Sequence, residues 1–210
     1  MEDLIVAVCV GPPLDTNGYL IGDRASGEAL LVDAPRQTAN VLIADAQKHG
    51  LRVSTLVNTH GHFDHIGDNA AVLEAVPGCT LLAHPDEVRR LEKTETMFPL
   101  PYRIAPTTPT QLVNEGDTIA CGQWMFTVLH TPGHSEGSVC LYCAALDLLV
   151  AGDTLFAGSF GRTDLPGGDD QAMKVSLQRL AALPPETTVL PGHGPATMIG
   201  DEQAWILDAA

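Results

Sequence analysis

Residues 59–65 read Thr-His-Gly-His-Phe-Asp-His, so three imidazoles and one carboxylate fall within six positions just after the strand-like Thr55-Leu56-Val57-Asn58. This cluster restricts the fold more than any other stretch, because its polar donors must converge where a strand ends. In an extended segment alternate side chains share a face. His60 and His62 can therefore point together at one ion, while the adjacent Asp64 and His65 turn toward a second. The spacing suggests two metals.

Three more candidate donors each follow a segment that reads as a strand: His134 in TPGHSEGS after FTVLH, Asp153 in AGDTLF after LDLLV, and His193 in PGHG after TTVLP. Taken singly, any of these histidines reads as a turn residue or a satisfied core side chain. As a set, five histidines and two aspartates in such contexts read as metal ligands. Imidazoles and carboxylates without a thiolate suit two divalent ions, zinc first, and iron or manganese would also accept these donors.

The ordered series THGHFDH, TPGH, GDT and PGHG resembles the metallo-β-lactamase-fold hydrolases, and within them the short glyoxalase II-like (hydroxyacylglutathione hydrolase-like) branch. The resemblance runs from TNGYLIGD to PGHG. It implies that His60, His62 and His134 hold one metal, that Asp64, His65 and His193 hold the other, and that Asp153 bridges both. It also implies an α/β fold, the αββα sandwich of the metallo-β-lactamase type, with two similar halves and the metal site at one edge.

Composition fits a single globular enzyme. With 210 residues, 45% of them hydrophobic, the chain can bury a sizeable core. Eleven basic against 26 acidic residues give a formal charge of −15. Such a surface repels phosphate backbones and anionic headgroups, so a small-molecule substrate is expected, with no nucleic acid and no membrane as partner. The N-terminus opens with acids and lacks the basic region of a secretory signal, and no apolar segment nears the ~20 residues of a membrane-spanning helix. Five cysteines are an odd number and form no disulfide framework. A cytoplasmic protein is the expectation. Cys140 and Cys143 spell CxxC, but in the strand-like VCLYC side chains three apart face opposite ways, which favours structural cysteines over a redox or metal pair.

Strands are predicted at residues 4–10, 18–22, 29–33, 55–58 and 80–83, with helices over 38–49 and 66–75 and another after Pro85. Prolines 99, 101, 106 and 109 predict an ordered loop between 93 and 110 that edges the active site. The second half repeats the plan with strands at 117–120, 125–130, 138–142, 147–152 and 187–191, a helix over 170–183 and a short terminal helix over 203–207. Without a linker or a break in composition, residues 1–210 read as one domain. Only 17 residues (210 − 193) follow His193, so no separate glutathione-binding helical domain is expected, whereas full-length glyoxalase II enzymes carry one.

The chemistry expected of two metals is hydrolysis of a small thioester, of hydroxyacylglutathione type, by a metal-bridging hydroxide. Asp64 is the candidate proton acceptor, a role implied by the resemblance. Asp33 and Thr59 are candidates for orienting the ligand imidazoles, against the plainer readings of a strand-ending aspartate and a loop cap. The VDAP sequence departs from the aspartate followed by proline and glycine that is common in the family. In GSFGRTDLPGGD, Arg162 either clamps a substrate carboxylate or pairs with Asp164, and Phe156 and Phe160 either line an acyl pocket or pack in the core. Two functional alternatives stay open: a single-iron persulfide dioxygenase, and a lactone or ester hydrolase on the same fold. A non-catalytic scaffold would be expected to have lost ligands, and none is missing.

Overall fold

The computed structural model describes residues 3–94, 96 and 99–208. Two compact units are present, Met1–Val113 with Ala120–Trp124, and Asn114–Ile119 with Met125–Ala210. Residues 95, 97 and 98 of the predicted 93–110 loop lie outside the described residues.

The first unit runs β1 (Leu4–Gly11), β2 (Thr16–Asp23), β3 (Glu28–Val32), α1 (Ala39–Lys48), β4 (Arg52–Val57), α2 (Asn69–Ala75), β5 (Thr80–Ala83), a 3-10 turn at Pro85–Glu87, α3 (Val88–Lys93) and β6 (Gln111–Leu112). The six strands lie in sequence order in one sheet. β1, β2 and β3 are antiparallel, and the pairs from β3 to β6 are parallel. Helical crossovers return the chain for parallel pairing. Leu20, Leu31, Leu56 and Leu81 are aligned across neighbouring strands and pack in one buried cluster with Leu42 of α1, Val72 of α2 and Leu91 of α3. Their sequence neighbours Ile21, Leu30, Val57 and Leu82 point to the other face and are buried too. Burial on both faces explains why these strands read as unbroken apolar runs.

The second unit contributes β9 (Val139–Cys143), β10 (Leu148–Gly152), α4 (Asp170–Ala181), β11 (Thr188–Pro191), β12 (Thr197–Met198) and α5 (Ile199–Asp208). With β7 (Thr118–Cys121) and β8 (Trp124–His130) these strands form a second six-stranded sheet, ordered β12-β11-β10-β9-β8-β7. β10 and β11 are parallel, and β9 is antiparallel to both β8 and β10. Leu149, Ala151, Val189 and Cys140 meet Met173, Leu177 and Leu180 of α4 and Ile206 of α5 in a second cluster. The architecture is α/β, two mixed sheets with flanking helices. Among the described residues no helix is long and apolar enough to cross a membrane.

Several predicted boundaries move: β4 begins at Arg52 instead of 55 and α4 ends at Ala181 instead of 183, and two further shifts have a visible cause. α2 begins at Asn69 instead of 66, because Asp68 anchors a turn: its N–H donates to the Ala34 carbonyl at 2.7 Å and its carboxylate accepts from Ala39 N–H at 3.1 Å, capping α1. α5 begins at Ile199 instead of 203, because Ile199 and Gly200 N–H bond the carbonyls of Thr187 and Pro185.

Asp23, buried at the end of β2, accepts hydrogen bonds from Ala25 N–H and from both the backbone and side-chain amides of Gln123. Burial pushes its pKa up, but these bonds outweigh it and hold the group at about 2. A depressed folded pKa contributes stability above the unfolded value near 4 and loses it as pH falls toward the folded one. Asp23→Asn is expected to lower unfolding free energy by about 1–3 kcal/mol at pH 7. Urea denaturation should show the gap narrowing as pH drops from about 4 to about 2.

Candidate metal centre

Parallel strands end at the same edge of a sheet, and in the first unit β3 and β4 release Asp33 and the 59–65 segment side by side. Asp33 sits at φ 56°, a left-handed conformation uncommon for a residue with a side chain. There its carboxylate accepts from Thr59 N–H at 2.8 Å and Thr59 Oγ1 at 2.7 Å, and lies 2.7 Å from His65 Nδ1. Ala34 N–H bonds the His65 carbonyl at 2.8 Å, completing the turn after VDAP.

A neutral imidazole whose Nδ1–H is given to a carboxylate presents Nε2 as a lone-pair donor. His65 is buried in that arrangement, and His60 Nδ1 lies 3.1 Å from Thr59 Oγ1. The His60 ring stands 4.7 Å from that of His62 and 4.1 Å from that of His65. Asp64 Oδ2 lies 3.5 Å from His65 Nε2. The 59–65 segment therefore brings all four of its candidate donors together, with a turn over residues 63–65 where an extended run was expected.

The second unit gathers the other three. β10 and β11 run parallel, so Asp153 and His193 leave neighbouring strand ends. Asp153 Oδ2 lies 3.4 Å from His134 Nε2 and 3.5 Å from His193 Nε2, one carboxylate oxygen between two imidazoles. His134 Nδ1 is 2.7 Å from the Arg162 carbonyl, which sets that ring's tautomer in the same way. Gly133, at φ 140°, lets this loop lie directly on α4: a Cβ there would come within 2.5 Å of the Met173 backbone. Asp169 caps α4 through Gln171 and Ala172 N–H and donates its own N–H to the Gly133 carbonyl, tying the loop to the helix start.

Of the two roles open for Arg162, the side chain adopts the pair with Asp164, Nε to Oδ1 and Nη2 to Oδ2 each at 2.7 Å, in the open. This partner holds the Asp164 carboxyl down at about 2. Neither phenylalanine is a core residue: Phe156, half-buried, meets the His193 ring edge to face at 5.8 Å, and Phe160, exposed, stacks on Trp205 at 6.1 Å. Cys140 packs on the helix side of β9, and burial pushes its thiol up to about 11. Cys143, also buried, is three residues on along β9 and faces away from it.

Two supporting residues escaped the sequence reading. Thr16 Oγ1 donates to Asp64 Oδ2 at 2.7 Å across 48 positions. Glu87, fully buried, accepts from Gly61 N–H at 2.8 Å and from Arg90, pinning the segment between His60 and His62. No local spacing announces either one; only the folded sheet brings them close. The Asn58–Asn69 side-chain pair, at 2.7 and 3.2 Å, ties the same segment to α2.

The donors in both units are imidazole nitrogens and carboxylate oxygens, the chemistry of a divalent metal site. With this fold and these His/Asp sets described, comparison identifies the class: residues 11–193 match the model of the metallo-β-lactamase superfamily. The chain belongs to that superfamily. It is 34% identical to a probable metallo-hydrolase of Bacillus subtilis, over 91% of this chain and 90% of that protein. It is 35% identical to a hydroxyacylglutathione hydrolase of Maricaulis maris, over 85% of this chain but 62% of that protein. Among solved structures, the B3 metallo-β-lactamase BLEG-1 superposes with a TM-score of 0.86 at 32% identity, covering 96% of this chain and 99% of that one. The di-iron-bound protein TTHA1623 gives 0.81 at 35%, covering 95% and 98%. ETHE1 from Myxococcus xanthus gives 0.76 at 28%, covering 95% and 82%.

Asp33→Asn keeps the shape of this side chain but removes the charge that orients His65. Titration against a chromophoric chelator should show zinc affinity falling about 10- to 100-fold, with the circular-dichroism spectrum unchanged.

Proposed function

We propose that this chain is a metal-dependent hydrolase in which the donors of the two units serve one pair of divalent ions, zinc first, and that its substrates are small thioesters of hydroxyacylglutathione type. The observation that carries this reading is the fixed presentation of Nε2 by His65 and His134, each with Nδ1 engaged by an oxygen. Histidines serving only as core residues do not require that repeated arrangement. A two-ion site is supported by the relative that is di-iron-bound, and thioester chemistry by the relative named as a hydroxyacylglutathione hydrolase.

In this assignment His60, His62 and His134 would hold one ion, Asp64, His65 and His193 the other, and Asp153 would serve both. Bound ions would acidify a water ligand toward pH ~7 and polarise the thioester carbonyl. Asp64, held by Thr16, would accept the proton of the attacking water. Phe156, beside His193, offers an apolar surface to the acyl group. Asp33, Thr59 and the Arg162 carbonyl keep the imidazoles from turning, and Glu87 pins the backbone between His60 and His62.

The test is turnover of S-lactoylglutathione and a panel of simple thioesters, lactones and esters by zinc-loaded protein, with oxygen uptake on glutathione persulfide by iron-loaded protein followed in parallel. Thioester hydrolysis without oxygen uptake is expected, and Asp64→Asn should lower kcat by about 10²- to 10⁴-fold. Oxygen uptake with one iron per chain would establish the dioxygenase reading instead.

A further inference from the structure

Eleven basic residues face 26 acidic ones in this chain, so an arginine near the candidate ligands that no carboxylate claims is unusual. Arg36 is such a residue. It follows Asp33 by three positions, on the segment that Ala34 joins to His65 and Asp68. Its backbone is set by close approach: a Cβ at Gly67, two residues after His65, would fall 2.9 Å from Arg36 N, and one at Gly11 would fall 2.6 Å from Arg36 O. Its guanidinium lies over the ring of Tyr102, 4.4 Å from the centroid, and among the described residues it makes no ion pair.

Tyr102 supplies the stacking face for this arginine: burial raises its phenol, the Arg36 cation lowers it and the Asp64 carboxylate raises it. Tyr102 also lines, with Leu100, Arg103 and Ile104, a cavity of about 620 Å³, a size that suits a small-molecule ligand. Stacking covers one face of a guanidinium but leaves the in-plane N–H groups at its edge able to bind a carboxylate through two parallel bonds.

We infer that Arg36, stacked on Tyr102, is a substrate-positioning residue that receives a carboxylate of the substrate and steers its reactive carbonyl toward Asp64. This inference rests on the hydrolase reading for the word substrate, but the binding it describes stands without turnover. It assigns the selectivity for acidic substrates to the first unit, while Arg162 stays engaged by Asp164.

The test is calorimetric binding of S-hexylglutathione, a thioether that cannot be hydrolysed, and of its diethyl ester, to the full zinc-loaded chain and to Arg36→Gln. The acid should bind wild-type protein about tenfold or more tightly than the ester, a difference of about 1.4 kcal/mol. Arg36→Gln should bring the two within about twofold while its melting temperature stays near that of wild type. A merely structural role would weaken both ligands by one factor. That outcome, equal binding of acid and ester by wild type, or no binding of either, would overturn the inference. Binding through Arg36 without any thioester turnover would refute the hydrolase reading alone, and turnover with binding indifferent to Arg36→Gln would refute this inference alone.

Discussion

The carboxylate of Asp33 is the contact on which the site in the first unit depends. Held at φ 56° at the end of β3, it takes two hydrogen bonds from Thr59 and faces His65 Nδ1 at 2.7 Å. One buried charge thereby orients one imidazole directly and a second through the Thr59 hydroxyl, which lies beside His60. A left-handed backbone at a residue with a side chain costs on the order of 1–3 kcal/mol, and such strain persists where the surroundings over-determine it. Here the Ala34 bond to His65 and the parallel pairing of β3 with β4 supply that determination.

The second unit reaches a comparable arrangement by other means. Parallel β10 and β11 release Asp153 and His193 together, a loop seated on the start of α4 supplies His134, and a backbone carbonyl replaces the carboxylate that orients its ring. Both sheets place ligand-type side chains at strand ends, where loops are free to vary and the buried strands behind them are not. The proposal of a shared pair of ions follows from this correspondence and from membership of the metallo-β-lactamase superfamily.

Much of this was legible in the sequence, for identifiable reasons. The strands of both sheets are apolar runs bounded by turn residues, and α1 and α4 carry stripes at helical spacing. The THGHFDH motif is dense enough to be read alone. What failed depended on distant partners. Asp68 delays α2 because it caps a helix 29 residues earlier, and α5 starts early because residues 185 and 187 accept its first N–H groups. The strands Gln111–Leu112 and Thr197–Met198 are too short to leave a periodic trace. Thr16 and Glu87 look like ordinary residues until the fold sets them against Asp64 and Gly61. For Arg162, sequence left two roles open, and in the structure the side chain pairs with the neighbouring Asp164.

The proposed hydrolase requires two cations shared by seven side chains. Anomalous diffraction from crystals grown with zinc tests it most directly. Two peaks about 3.5–4 Å apart are predicted, one beside His60, His62 and His134, the other beside Asp64, His65 and His193, with Asp153 touching both. No peak at these residues, or a single ion that leaves either histidine set without a metal under saturating zinc, would contradict it.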